Sequence, residues 1–85
     1  MKIHDTIRDT IRKHLDLKPE HPIEDDWPLY SLGATPTDEI SIVSDLATRF
    51  ELPDKNLFIL IFVGSALGTH TVPYLAERIT EALTQ

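Results

Sequence analysis

Two stretches hold residue types from which chemistry could be built: the run Thr35-Pro36-Thr37-Asp38, and Gly64-Ser65-Ala66-Leu67-Gly68 with its central serine. Four histidines, His4, His14, His21 and His70, could act as bases or metal ligands. Their spacing forms no site. No two stand four apart on one helix face, and a chain without cysteine has no thiolate for zinc. They read as scattered surface residues, and no metal is expected. Ser65 lacks the Gly-x-Ser-x-Gly frame and follows no sheet, so neither a nucleophile elbow nor a catalytic triad is expected, and the chain reads as no enzyme. The spacing Gly64-x-x-x-Gly68 would matter inside an apolar helix of about twenty residues and reads here as a turn.

The elements that must carry these residues are limited by size. A chain of 85 residues makes one domain, 1–85, with 41% hydrophobic and 26% charged residues, proportions that fit a folded globule. Without disulfides, packing must stabilise it. The net charge of -6 repels phosphate backbones and excludes nucleic acid as an expected partner. The longest apolar run, Leu57 to Val63, has seven residues, far below the roughly 20 that span a bilayer. The charged start Met1-Lys2-Ile3-His4-Asp5 lacks a secretion signal's apolar stretch, so a cytoplasmic location is expected.

Periodicity predicts an all-α chain. Ile3, Ile7, Ile11 and Leu15 fall four apart and mark a first helix, with Asp5 and Arg8, and Asp9 and Arg12 or Lys13, placed to pair on its outer face. From Asp16 to Thr35 the prolines Pro19, Pro22 and Pro28 predict a loop, with Trp27, Leu29, Tyr30 and Leu32 folding back as anchors and one short helical turn among them. A second helix starts at Thr35-Pro36-Thr37-Asp38, with a hydroxyl cap, proline in the first turn and a carboxylate facing the positive helix end. Its stripe is Ile40, Val43, Leu46, Ala47 and Phe50, with Ile42 beside it, and Pro53 ends it. Leu57 to Val63 reads as a short buried helix ending near Gly64, because no second strand exists to pair with it. A last amphipathic helix opens at Thr71 and carries Val72, Leu75, Ala76, Ile79, Ala82 and Leu83.

Leu32-Gly33-Ala34-Thr35-Pro36-Thr37-Asp38, followed by Ile40, Ile42, Val43, Leu46 and Phe50, resembles the Leu-Gly-x-Asp-Ser-Leu-Asp stretch of acyl carrier proteins and the apolar helix after it. The long first loop, the proline after helix two and the Thr71-Val72 start fall where that family has them, while Lys55 to His70 is longer and more apolar. The resemblance implies an acyl-carrier-protein-like four-helix bundle of three longer helices and one short one. It also implies a serine at the start of helix two bearing phosphopantetheine. In the register set by Leu32, Gly33 and Asp38, that serine is Pro36 and the aspartate before it is Thr35. Proline has no oxygen to phosphorylate, so phosphopantetheine is not expected and no cofactor is assigned.

The family's partner recognition implies an acidic helix-two face, here Asp38, Glu39, Ile42 and Asp45, meeting a basic patch on an enzyme of fatty-acid or polyketide assembly. The reading that follows is a noncatalytic binding or regulatory module with the attachment site lost. Two alternatives stay open. One is a working carrier with its arm on Thr35 or Thr37. The other is an unrelated helical protein that dimerises through Leu57, Ile59 and Ile61, which a small domain would struggle to cover on both sides.

Overall fold

A computed structural model describes residues 3–84. Every regular element among them is helical: α1 over Ile3–His14, α2 over Pro36–Arg49, α3 over Asp54–Phe62 and α4 over Val72–Leu83, with a 3-10 turn at Leu29–Leu32. Each long helix touches two neighbours, in the cyclic order α1, α2, α3, α4 and back to α1. The radius of gyration of 11.7 Å equals what a well-packed chain of this length should have, about 12 Å.

The stripe predicted for α1 is buried at Ile7 and Ile11 and partly covered at Ile3 and Leu15. Thr10 is buried beside it, its hydroxyl satisfied by donation to the Thr6 carbonyl at 2.8 Å. On the outer face Arg12 pairs with Asp9 at 3.2 Å, as the spacing predicts. Arg8 does not pair with Asp5. Its Nε donates to the Ile23 carbonyl at 3.0 Å and its guanidinium meets Asp25, while Arg12 Nε donates to the His21 carbonyl at 3.0 Å. Two α1 arginines thus hold the long connection and press Ile23 into the core.

That connection corrects the expected anchors. Leu29 is fully buried, Trp27 and Leu32 are half-buried, and Tyr30 is exposed. The physical reason is the 3-10 turn: it points Leu29 inward and turns its neighbour Tyr30 out.

Helix ends follow local chemistry. α2 stops at Arg49, before the expected Pro53, because Glu51 takes a left-handed φ of 56° and the Leu52 and Glu51 amides close back on the Ala47 and Thr48 carbonyls at 2.7 and 3.1 Å. α1 ends the same way at Asp16, φ 55°, with the Leu17 and Asp16 amides on Arg12 and Lys13. Both are Schellman caps built on residues other than glycine.

The buried stripe of α2 is Glu39, Ile42, Val43, Leu46, Ala47 and Phe50, not one starting at Ile40, which is exposed. α3 opens at Asp54 and ends at Phe62, a few residues earlier than expected from Leu57 to Val63. Because it faces α2 and α4 on one side, Leu57 and Ile61 are buried while Ile59 and Val63 reach solvent. α4 begins after Thr71 as expected.

Candidate functional site

The start of α2 is fully assembled. Thr35 caps the helix, its Oγ1 accepting from the Asp38 amide at 3.1 Å while the Thr35 amide donates to Asp38 Oδ2 at 2.9 Å. This reciprocal box satisfies two backbone donors, and Pro36 fills the first helical position, where a missing N–H costs nothing. Pro36 and Thr37 stand exposed beside it. The oxygen of Thr35 is engaged in holding the helix start, and residue 36 presents a pyrrolidine ring.

The four residues expected on a partner-facing side of α2 separate. Asp38 and Asp45 lie near the surface, but Glu39 and Ile42 are fully buried, which corrects their assignment to an exposed face. Counting by helical turns, Glu39 falls in line with Ile42, Val43 and Leu46 on the core side. Asp45 is also less free than its sequence position suggests. Its Oδ2 meets His14 Nε2 at 2.9 Å and its Oδ1 accepts from Arg49 Nε at 3.1 Å. Burial raises the proton affinity of its carboxyl. The hydrogen bonds from His14 and Arg49 and the charges of both outweigh burial, and the pKa is lowered.

Glu39 is the centre of a cluster that sequence reading missed. One carboxylate oxygen accepts from the Gly68 amide and the other meets His70 Nδ1, both inside the protein. His70, expected at the surface, is buried edge-on to Phe62, centroids 5.7 Å apart, and stacked on Tyr74 at 5.0 Å. Its Nε2 lies 2.9 Å from Ser65 Oγ, which also donates to the Ile61 carbonyl at 2.6 Å. Tyr74 donates to that carbonyl from the other side at 3.3 Å.

The order Ser65, His70, Glu39 has the connectivity of a nucleophile, base and carboxylate relay. Hydrogen counting favours a different role. A serine hydroxyl has one hydrogen, and its shorter contact directs that hydrogen to the Ile61 carbonyl rather than to Nε2. Three open grooves mark the described surface, of about 630, 510 and 420 Å³, and none of these three is lined by Ser65 or His70. The geometry is that of a fastening. Among the described residues no group of three or more histidine and carboxylate side chains gathers as a metal site.

The same end of the molecule carries an apolar collar. Of the six large hydrophobic residues exposed among the described ones, Tyr30 (63%), Ile40 (44%), Ile59 (51%), Val63 (72%) and Leu67 (44%) surround the start of α2 and the loop after α3. Short links bring the segments that carry them near one another. Tyr30 donates its amide to Gly68, next to Leu67, at 3.0 Å, and Ile40 follows Glu39, which holds Gly68. Ile40 and Phe58 line the 510 Å³ groove, and Phe58 packs edge-on against Phe62, beside Val63, at 5.6 Å. Asp45 and Asp54 rim that groove, with Ser44 donating to Asp54 at 2.9 Å. Of the residues expected to mediate self-association, Ile59 is on the collar; Leu57 and Ile61 are core residues, held inward by the single-sided packing of α3.

Comparison with family models, with curated proteins and with solved structures finds no match to the chain. No helix among the described residues is long and apolar enough to cross a membrane.

Proposed function

We propose that this protein is a noncatalytic docking module, similar in plan to acyl carrier proteins but without their covalent arm, that engages a protein partner through the apolar collar. The observation that carries this reading is Pro36 inside the closed Thr35–Asp38 box: the residue at the attachment register has no hydroxyl, and the neighbouring threonine oxygen is committed to the helix. Glu39 and Ile42 act from within, by shaping the start of α2. The docking surface is Ile40, Ile59, Val63 and Leu67, with Asp45 and Asp54 on its margin. A net charge of -6 opposes association with a second acidic copy and favours a partner that is apolar at its centre and basic at its edge. Enzymes of fatty-acid or polyketide assembly have that chemistry where they meet carriers, and a cytoplasmic setting without bound cofactor belongs to this reading.

Incubation with a phosphopantetheinyl transferase and coenzyme A, followed by intact-mass measurement, tests it. The unmodified mass is expected. Addition of one phosphopantetheinyl group, mapped to Thr35 or Thr37, overturns the reading in favour of a working carrier.

A second reading is favoured by the exposure of Ile59 and Val63 on one side of α3: the collar closes on another copy of the chain. Sedimentation separates the two, since a monomer at high concentration disposes of the homodimer.

A further inference from the structure

Glu39 joins parts of the chain that are far apart in sequence. Its two carboxylate oxygens take the Gly68 amide and His70 Nδ1, so one side chain from the first turn of α2 holds the whole connection between α3 and α4. That connection holds the next segment in turn: the His70 carbonyl accepts from the Leu29 amide and the Gly68 carbonyl from the Tyr30 amide, each at 3.0 Å. Leu67 and Tyr30 of the collar therefore sit on backbone whose position depends on a buried carboxylate.

The requirement on that carboxylate is strict. When the His70 ring is protonated at both nitrogens, it must accept two N–H groups at once, one per oxygen. Opposite a protonated imidazole, a carboxylic acid retains one good acceptor and turns a donor toward the other N–H, whereas a carboxamide can keep both contacts by donating to the unprotonated Nδ1 of a neutral ring. Loss of a hydrogen bond to a charged, buried group then weakens the attachment of the loop. The groups facing the pair are few. From α4 comes Tyr74, stacked on His70, with the Arg78 guanidinium 5.4 Å from the Tyr74 ring centroid; from α3 come Phe62 and the Ile61 carbonyl; from the loop itself, Ser65. No other carboxylate or lysine touches the pair among the described residues.

We propose that Glu39 and His70 form a proton-sensitive clasp that sets whether residues 28–32 and 64–71 are seated on the bundle or released, so that protonating Glu39 disassembles the collar while the four helices stay folded. Its regulatory meaning rests on the docking function proposed above; the clasp itself does not. The helix contacts that build the core run through Ile7, Ile42, Leu46, Leu75 and Ile79, none of which is part of the clasp. Glu39 and His70 are positioning residues in this scheme, acting on the collar through the loop.

Amide hydrogen exchange on the partner-free protein, corrected for intrinsic rates, reads the clasp directly. In Glu39→Ala, which removes both acceptors, protection at Leu29, Tyr30 and Gly68 should fall roughly ten- to hundred-fold while protection at Leu46 and Leu75 stays close to wild type. In wild type, acidification should produce the same selective loss before the core amides exchange, and Glu39→Ala should show no further selective loss. Unchanged protection of the three amides in a folded Glu39→Ala overturns the clasp. If that variant does not fold, the wild-type titration decides, and loss of the three amides only together with the core amides overturns it. No partner is present in these measurements, so failure to find a partner for the collar leaves their outcome unaffected.

Discussion

His14 at the end of α1 and Asp45 in the middle of α2 meet at 2.9 Å, 31 positions apart in the chain, and Arg49 closes on the same carboxylate one turn further along. This pairing fastens α1 to α2 on the side of the molecule away from their shared core. It carries a pH dependence of definite sign. The lowered proton affinity of Asp45 in the fold means that its contribution is fully present above the ordinary carboxylate value of 3.8 and is lost as the pH falls through the lower folded value. Urea unfolding of wild type and Asp45→Asn should differ most at neutral pH and converge in strong acid. A difference that grows on acidification would contradict the assignment.

The two left-handed caps predict stabilising substitutions. Asp16 and Glu51 hold φ of 55° and 56°, which a side chain with a Cβ tolerates poorly, at a cost of about 1 kcal/mol or more relative to glycine. Asp16→Gly and Glu51→Gly should each stabilise the domain by about 0.5–1 kcal/mol, the greater entropy of glycine in the unfolded chain offsetting part of the gain. For a domain this small each should raise Tm by a few degrees, measurable by thermal unfolding.

At the start of α2, Thr35→Ala removes the cap and should cost about 1 kcal/mol in chemical unfolding. Pro36→Ser tests the register. It keeps the box between Thr35 and Asp38 and places a hydroxyl at the matched attachment position. If the resemblance to carriers holds, this variant should gain one phosphopantetheinyl mass under conditions in which wild type gains none. A folded Pro36→Ser that remains unmodified would count against the register.

α3 predicts a contrast between residues two apart. Ile61 is fully buried and Ile59 half-exposed. Ile61→Ala should cost about 2–5 kcal/mol through the cavity it leaves, whereas Ile59→Glu should leave stability within about 0.5 kcal/mol of wild type and abolish partner binding. Denaturation midpoints of the two variants check the first statement, and a pull-down against the eventual partner the second.

Gly68 predicts the opposite change from the same left-handed backbone. It holds φ of 88°, and a Cβ there would stand 3.4 Å from the Tyr30 Cβ. Gly68→Ala should destabilise the domain by about 1 kcal/mol or more and loosen the Leu29 and Tyr30 amides first. Equal loosening of all amides would argue against a separable collar.

Much of the helical order was readable because its signals are local. Thr35-Pro36 and Thr71-Val72-Pro73 mark helix starts through capping chemistry that requires no distant contact. The α4 stripe is regular enough to leave one register. The α2 stripe departs from expectation only at its start: Ile40 is exposed, while Glu39, Ile42, Val43, Leu46, Ala47 and Phe50 recur at 0, 3, 4, 7, 8 and 11. An acid in line with five apolar residues was itself a signal that a buried partner must exist, and His70 supplies it.

What the sequence by itself determined is the set of short-range choices: helices rather than strands, their capped starts, a long proline-bearing connection, and a proline ring at residue 36. Each follows from preferences acting within a turn or two of the chain. Which residues of α3 are core and which are collar, and that Glu39 faces inward to close on a loop 29 to 31 residues away, was decided in tertiary structure. A buried carboxylate is acceptable only where two donors reach it together, and that coincidence exists only once α2 and the loop before α4 have packed against each other.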